Sequence, residues 1–165
     1  MTSPSPVLHA DLAHVATLLG TWSGRGRGDY PTIASFEYDE TITFGHVGKP
    51  FLAYAQRTRS LTDPPAPMHA ETGYWRFPSP GRVEVVLCHP TGVTEIEEGT
   101  IEAAGDRLDI DLTTTDVGLS STAKEVTALA RRFTVERDTL TYELDMAAVG
   151  QNLQFHLTAT LHRET

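Results

Sequence analysis

From Trp22 to the end of the chain, alternating and β-branched runs follow one another with little else between them, each bounded by Gly, Pro or Asp. Strands are expected at Phe36–Phe44, Phe51–Arg59, Met68–Phe77, Val83–His89, Val93–Ala103 and Leu108–Asp116. Three more are expected at Lys124–Val135, Leu140–Ala147 and Leu153–Arg163. Short turns such as Ser79-Pro-Gly-Arg82, Pro90-Thr-Gly92 and Glu136-Arg-Asp138 join them. Connections this short suit antiparallel neighbours, and the absence of βαβ alternation argues against a parallel sheet. Only one segment, before the strands, repeats with helical spacing: Leu8, Leu12, Val15, Leu18 and Leu19, stopped by Gly20. The expected fold is all-β, an antiparallel up-and-down β-barrel of about ten strands with a short N-terminal helix. A two-sheet sandwich is the alternative. Residues 1–7 read as a disordered tail and 8–165 as one domain. A barrel of this size has room for an internal ligand.

Composition narrows what that ligand is. The formal net charge is −9, which opposes binding to a phosphate backbone. No apolar run is long enough to span a bilayer, and Met1–Pro6 lacks the basic and apolar regions of a signal peptide. The single cysteine, Cys88, fits a reducing compartment, so a cytoplasmic protein is expected. Arg25/Arg27, Arg57/Arg59 and Arg131/Arg132 read as solvated surface pairs, any one of which could meet an anionic group.

No phosphate-binding loop, CxxC, HExxH or GxSxG motif is present. The stretch Gly20-Thr-Trp-Ser-Gly-Arg-Gly26 lacks the spacing of a dinucleotide loop. It is better placed at a helix-to-strand junction, where glycines let a strand bend against its neighbours and Trp22 plugs the barrel end. Seven histidines occur: His9, His14, His46, His69, His89, His156 and His162. None are paired at zinc-site spacing. A single histidine suffices for haem, where the porphyrin supplies four nitrogens and the protein one axial base. In the last strand Phe155, Leu157, Ala159 and Leu161 alternate with His156, Thr158, Thr160 and His162, and simple patterning puts the Phe/Leu row inside. On the strand before it, Leu140, Tyr142, Leu144 and Met146 share a face that would line the lumen. His69 and His89 are expected near the barrel mouth, as pocket lining or in local hydrogen bonds.

Gly20-x-Trp22-x-Gly24-x-Gly26 followed by Tyr30-Pro-Thr-Ile33 resembles the signature of the nitrobindin family. So do Phe44-Gly-His-Val-Gly-Lys-Pro50, Met68-His-Ala-Glu-Thr-Gly73, Thr122-Ala-Lys-Glu125 and Gln154-Phe-His-Leu157, in order over nearly the whole chain. The resemblance implies an antiparallel barrel that binds one haem b per subunit, with His156 as the axial iron ligand. It implies that Thr32 and Lys124 lie at the haem, Thr32 as a hydrogen-bond donor and Lys124 paired with a propionate. Met146, His69 and His89 would line the pocket. The implied activity is isomerisation of peroxynitrite to nitrate at ferric haem, together with nitric oxide binding. The rivals are a non-catalytic nitric oxide carrier or sensor and a barrel that holds another apolar ligand. Placing His156 inside would turn Phe155, Leu157 and Leu161 outward, where the helix or, more readily, a homodimer partner would have to cover them.

Overall fold

The structure is a computed structural model that describes residues 5–165. The part of the expected tail at Met1–Pro4 lies outside the described residues. Ten antiparallel strands close into an up-and-down barrel: β1 Gly20–Tyr30, β2 Ile33–Gly45, β3 Phe51–Ser60, β4 Pro67–Arg76, β5 Arg82–Cys88, β6 Val93–Ala104, β7 Arg107–Leu119, β8 Val126–Glu136, β9 Thr139–Ala148 and β10 Gln154–Arg163. Each strand pairs with its chain neighbours, and β10 returns to β1, so no edge is left unpaired. The expected strands are all present, and the sandwich alternative is excluded by this closure.

Alternation sorts the wall. On β1, Trp22, Gly26, Gly28 and Tyr30 are buried while Arg25, Arg27 and Asp29 face solvent. Charge recurs along the outside, as at Arg57 and Arg59 on β3 and Arg132 and Glu143 on β8 and β9. The outer wall therefore lacks the continuous apolar belt of a lipid-spanning barrel. Among the described residues, no helix is long and apolar enough to cross a membrane.

The N-terminal segment is helical as expected, but it is a 3-10 helix, Ala10–Leu18, rather than an α-helix. Its buried residues are Leu12, Val15 and Leu18, spaced by three. A 3-10 helix has three residues per turn, so these side chains eclipse along one line and drop together into the barrel end. Trp22 sits beneath them as expected. It is fully buried, its Nε1 donates to the Leu18 carbonyl at 2.9 Å, and the Arg163 guanidinium lies 4.2 Å from its ring centroid. Phe44, Leu52, Trp75, Val83, Val85, Leu108, Val135, Leu140 and Leu161 complete an apolar core at this closed end.

Above that core lies a buried polar layer. Arg131 donates to Glu71 (2.6 Å), Glu95 (3.1 Å) and Glu97 (3.0 Å), and all four side chains are shielded from solvent. Arg131 is therefore not the surface cation its pairing with Arg132 suggested. It follows the inward parity of Leu129 and Phe133, while Arg132 faces out to Glu143. Beside it, Glu40 accepts from Gln56 Nε2 at 2.9 Å and from the Tyr142 hydroxyl at 2.8 Å.

These carboxyls titrate in opposite directions. Burial works to raise Glu95, but the Arg131 guanidinium outweighs it and holds the carboxyl at about 2. Burial pushes Glu40 up to about 7. It also pushes Glu97 up to about 8, against Arg131 and with the Glu95 charge adding to the rise; one Glu97 oxygen has no partner. The folded chain thus holds protons on Glu40 and Glu97 that the unfolded chain has released, and stability must fall as pH rises towards these values. Burial lowers His69 and His156, which acts the other way but is complete by their unfolded value of 6.5. Between about pH 6.5 and 9 stability should therefore drop by on the order of 2 kcal/mol. Urea unfolding midpoints across this range should show the decline, and Glu97→Gln should flatten it.

Candidate functional site

Beyond the polar layer the barrel opens. The mouth is ringed by the turns that follow β1, β3, β5, β7 and β9, opposite the helix-plugged end. A cavity of about 320 Å³ fills it, lined on one side by Ile33, Phe36, Val126, Leu144, Met146 and Leu157. His156 is in its wall, and so are His69, His89 and Met146, as expected. Tyr142 and Leu144 also line it, whereas Leu140 lies deeper in the core.

His156 reaches the cavity by a route that parity does not anticipate. In the β9–β10 ladder Phe155 faces Asp145 and Leu157 faces Leu144, so His156 is the extra residue of a β-bulge. A bulge puts two successive side chains opposite one partner. His156 and Leu157 both line the cavity, and Ala159 and Leu161 continue the inward row, opposite Gly26 and Gly24. The expectation that Leu157 and Leu161 turn outward is thus wrong. Leu161 is wholly buried within this chain, and only Phe155 faces out, where the Arg27 guanidinium lies 5.2 Å from its ring centroid. On β10 no apolar row is left for a partner subunit to cover.

The imidazole is held from behind. Its Nδ1 lies 3.3 Å from the carbonyl oxygen of Asp29, and Tyr30 packs against the ring edge-on at 5.2 Å. Tyr30 fixes this corner: its hydroxyl accepts from the Ala148 amide at 2.9 Å and donates to the Met146 carbonyl at 3.1 Å. Burial lowers the His156 pKa against the opposing bond to Asp29. The ring is therefore neutral near pH 7, with Nδ1–H donated to Asp29 and the Nε2 lone pair free. That is the tautomer a metal-ligating histidine needs, and the backbone acceptor is its usual second partner. The backbone role of Asp29 carries no signal in residue type, and Tyr30 was visible only as part of a motif.

A planar apolar macrocycle with a coordinating centre and two carboxylates fits this site. The imidazole supplies one axial base, the apolar wall suits the ring, and the open mouth leaves carboxylates in water. Thr32 and Lys124 are both exposed, in the turns at the mouth next to the lining residues Ile33 and Val126.

The glycines of β1 shape this wall. A Cβ on Gly28 would lie 2.2 Å from Phe36 Cζ, and one on Gly26 would lie 2.4 Å from Tyr38 Cζ. Both rings lie over β1 only because no side chain stands there, and both line the cavity. Gly28→Ala should drive the Phe36 ring towards His156, 6.4 Å away between centroids, and weaken binding of the macrocycle at least about tenfold. Titration of the apo protein, with the fold checked by circular dichroism, reads this directly.

The chain matches the family model "THAP4-like, heme-binding beta-barrel domain" over residues 11–163. It is 59% identical over 157 residues to peroxynitrite isomerase 2 of Mycobacterium avium, covering 95% of this chain and 97% of that one. It is 58% identical over 161 residues to the peroxynitrite isomerase of Nocardia farcinica, covering 98% and 95%. The crystal structure of Rv2717c from M. tuberculosis superposes with a TM-score of 0.94 at 52% identity, over 96% of this chain and all of that one.

Proposed function

The chain belongs to the THAP4-like haem-binding β-barrel (nitrobindin) family, and from that premise we propose that it is a haem-dependent peroxynitrite isomerase with His156 as the axial ligand. The observation that carries the site assignment is the neutral His156 imidazole, braced on the Asp29 carbonyl with Nε2 free at an apolar cavity. The group held there would be haem b, one per chain.

When bound, the haem would supply a Lewis-acidic ferric centre for the isomerisation of peroxynitrite to nitrate, a rearrangement with no net gain or loss of electrons. The chain's own residues bind and shield. His156 would hold the iron through its Nε2 lone pair, with the Asp29 carbonyl keeping the ring in that tautomer. Ile33, Leu144, Met146 and Leu157, which line the cavity, would pack against the macrocycle and limit water around it. Thr32 would donate a hydrogen bond at the mouth, and Lys124 would pair with a propionate. His69 and His89, hydrogen-bonded to each other at 3.1 Å, face the same cavity. The net charge of −9 gives no long-range attraction for an anionic substrate, so its capture depends on groups at the mouth. The same coordination position would take nitric oxide. The lone Cys88, unpaired and exposed, suits a reducing cytoplasm.

The visible spectrum tests the haem reading. Purified protein given haem should show a Soret band that shifts when nitric oxide is added. A protein that takes up no haem at stoichiometric concentrations would refute it.

A further inference from the structure

His69 and His89 are far from one another in sequence and show no zinc-like spacing, but the barrel brings them together at the wall of the cavity. His69 stands on β4, two residues before Glu71, and His89 follows the end of β5, the strand paired with β4. His69 Nε2 lies 3.1 Å from His89 Nδ1 and 4.0 Å from Glu71 Oε2, and the last two atoms are 3.6 Å apart. The circle through these three atoms has a radius of about 2.1 Å, which matches the bond lengths of about 2.0–2.2 Å that zinc makes to imidazole nitrogen and carboxylate oxygen.

We infer that His69, Glu71 and His89 form a second, non-haem site for a divalent transition metal of the zinc class. Two histidines and one carboxylate are a common ligand set for catalytic zinc, and such sites leave a fourth position open. Here all three residues line the cavity, so that position faces the same space as His156. The surroundings are those of a supported site. Glu95 Oε1 lies 2.6 Å from His89 Nε2, a carboxylate–histidine pair that turns the Nδ1 lone pair towards the metal position. Glu71 is held from the far side by the Tyr54 hydroxyl at 2.7 Å and by Arg131 at 2.6 Å, both on Oε1. Arg131 also approaches Oε2 at 3.2 Å, and its one positive charge serves both Glu71 and Glu95. The cluster thus keeps room for an added cation.

The site does not depend on haem at His156, so the two assignments fail separately. The test is zinc titration of the tag-free, haem-loaded full chain by calorimetry, after treatment with a chelator. One zinc per chain is expected. His69→Gln, whose side chain is 38% exposed and outside the core, should weaken binding at least tenfold, and so should His89→Gln. His156→Ala, titrated without haem beside haem-free wild type, should keep zinc binding. No stoichiometric zinc, or equal affinity in wild type and His69→Gln, overturns the inference.

Discussion

Replacing His156 by alanine should abolish the Soret band of the haem-loaded protein and leave the barrel folded. His156 is half-buried, sits at a bulge rather than in the closed-end core, and makes one hydrogen bond, to a backbone carbonyl. Its loss removes no packed side chain from the plug of Leu12, Val15, Leu18 and Trp22. Haem affinity is another matter. Partners that merely orient a metal ligand are worth about 10–100-fold, and the ligand itself is worth more, so the fall should exceed about a hundredfold. Haem titration of apo wild type and apo His156→Ala, with circular dichroism as the fold control, measures it. Unchanged haem affinity would mean that another residue ligates the iron.

Arg131→Met should be the most destabilising single change in the polar layer. The guanidinium is buried against Glu71, Glu95 and Glu97, and its removal strands charges that cannot reach water. Breaking a buried ion pair from one side costs about 3–5 kcal/mol. A domain of this size has about 5–15 kcal/mol in total, so the variant should be marginal. Adding Glu71→Gln and Glu95→Gln should recover part of the loss, because neutral amides tolerate the site better than unpaired carboxylates. Urea midpoints of the three proteins decide it. A change under about 1 kcal/mol would mean that water reaches the network.

Period-two alternation and turn chemistry made the barrel readable, and every expected strand lies within a few residues of its position. The helix type was hidden because Leu8 and Leu19 flank the three-spaced Leu12, Val15 and Leu18 and blur their period. The face of β10 is not legible in the sequence, for a sharper reason. A one-residue bulge leaves no mark on the bulged strand's own sequence and depends on which residue of β9 stands opposite, so His156 and Leu157 could not both be placed inside by parity. The polar layer does leave a mark in the sequence: Glu95 and Glu97 share the inward parity of Val93, and Arg131 that of Leu129 and Phe133. Thr32 and Lys124 came from motif resemblance alone, and the structure sets both at the rim.

Stopped-flow decay of peroxynitrite, with nitrate measured as product, tests the central claim most directly. Ferric, haem-loaded wild type should speed the decay in proportion to its concentration and raise the yield of nitrate. His156→Ala under the same conditions should leave the decay at the rate of buffer. Equal decay rates with wild type and His156→Ala would contradict the account.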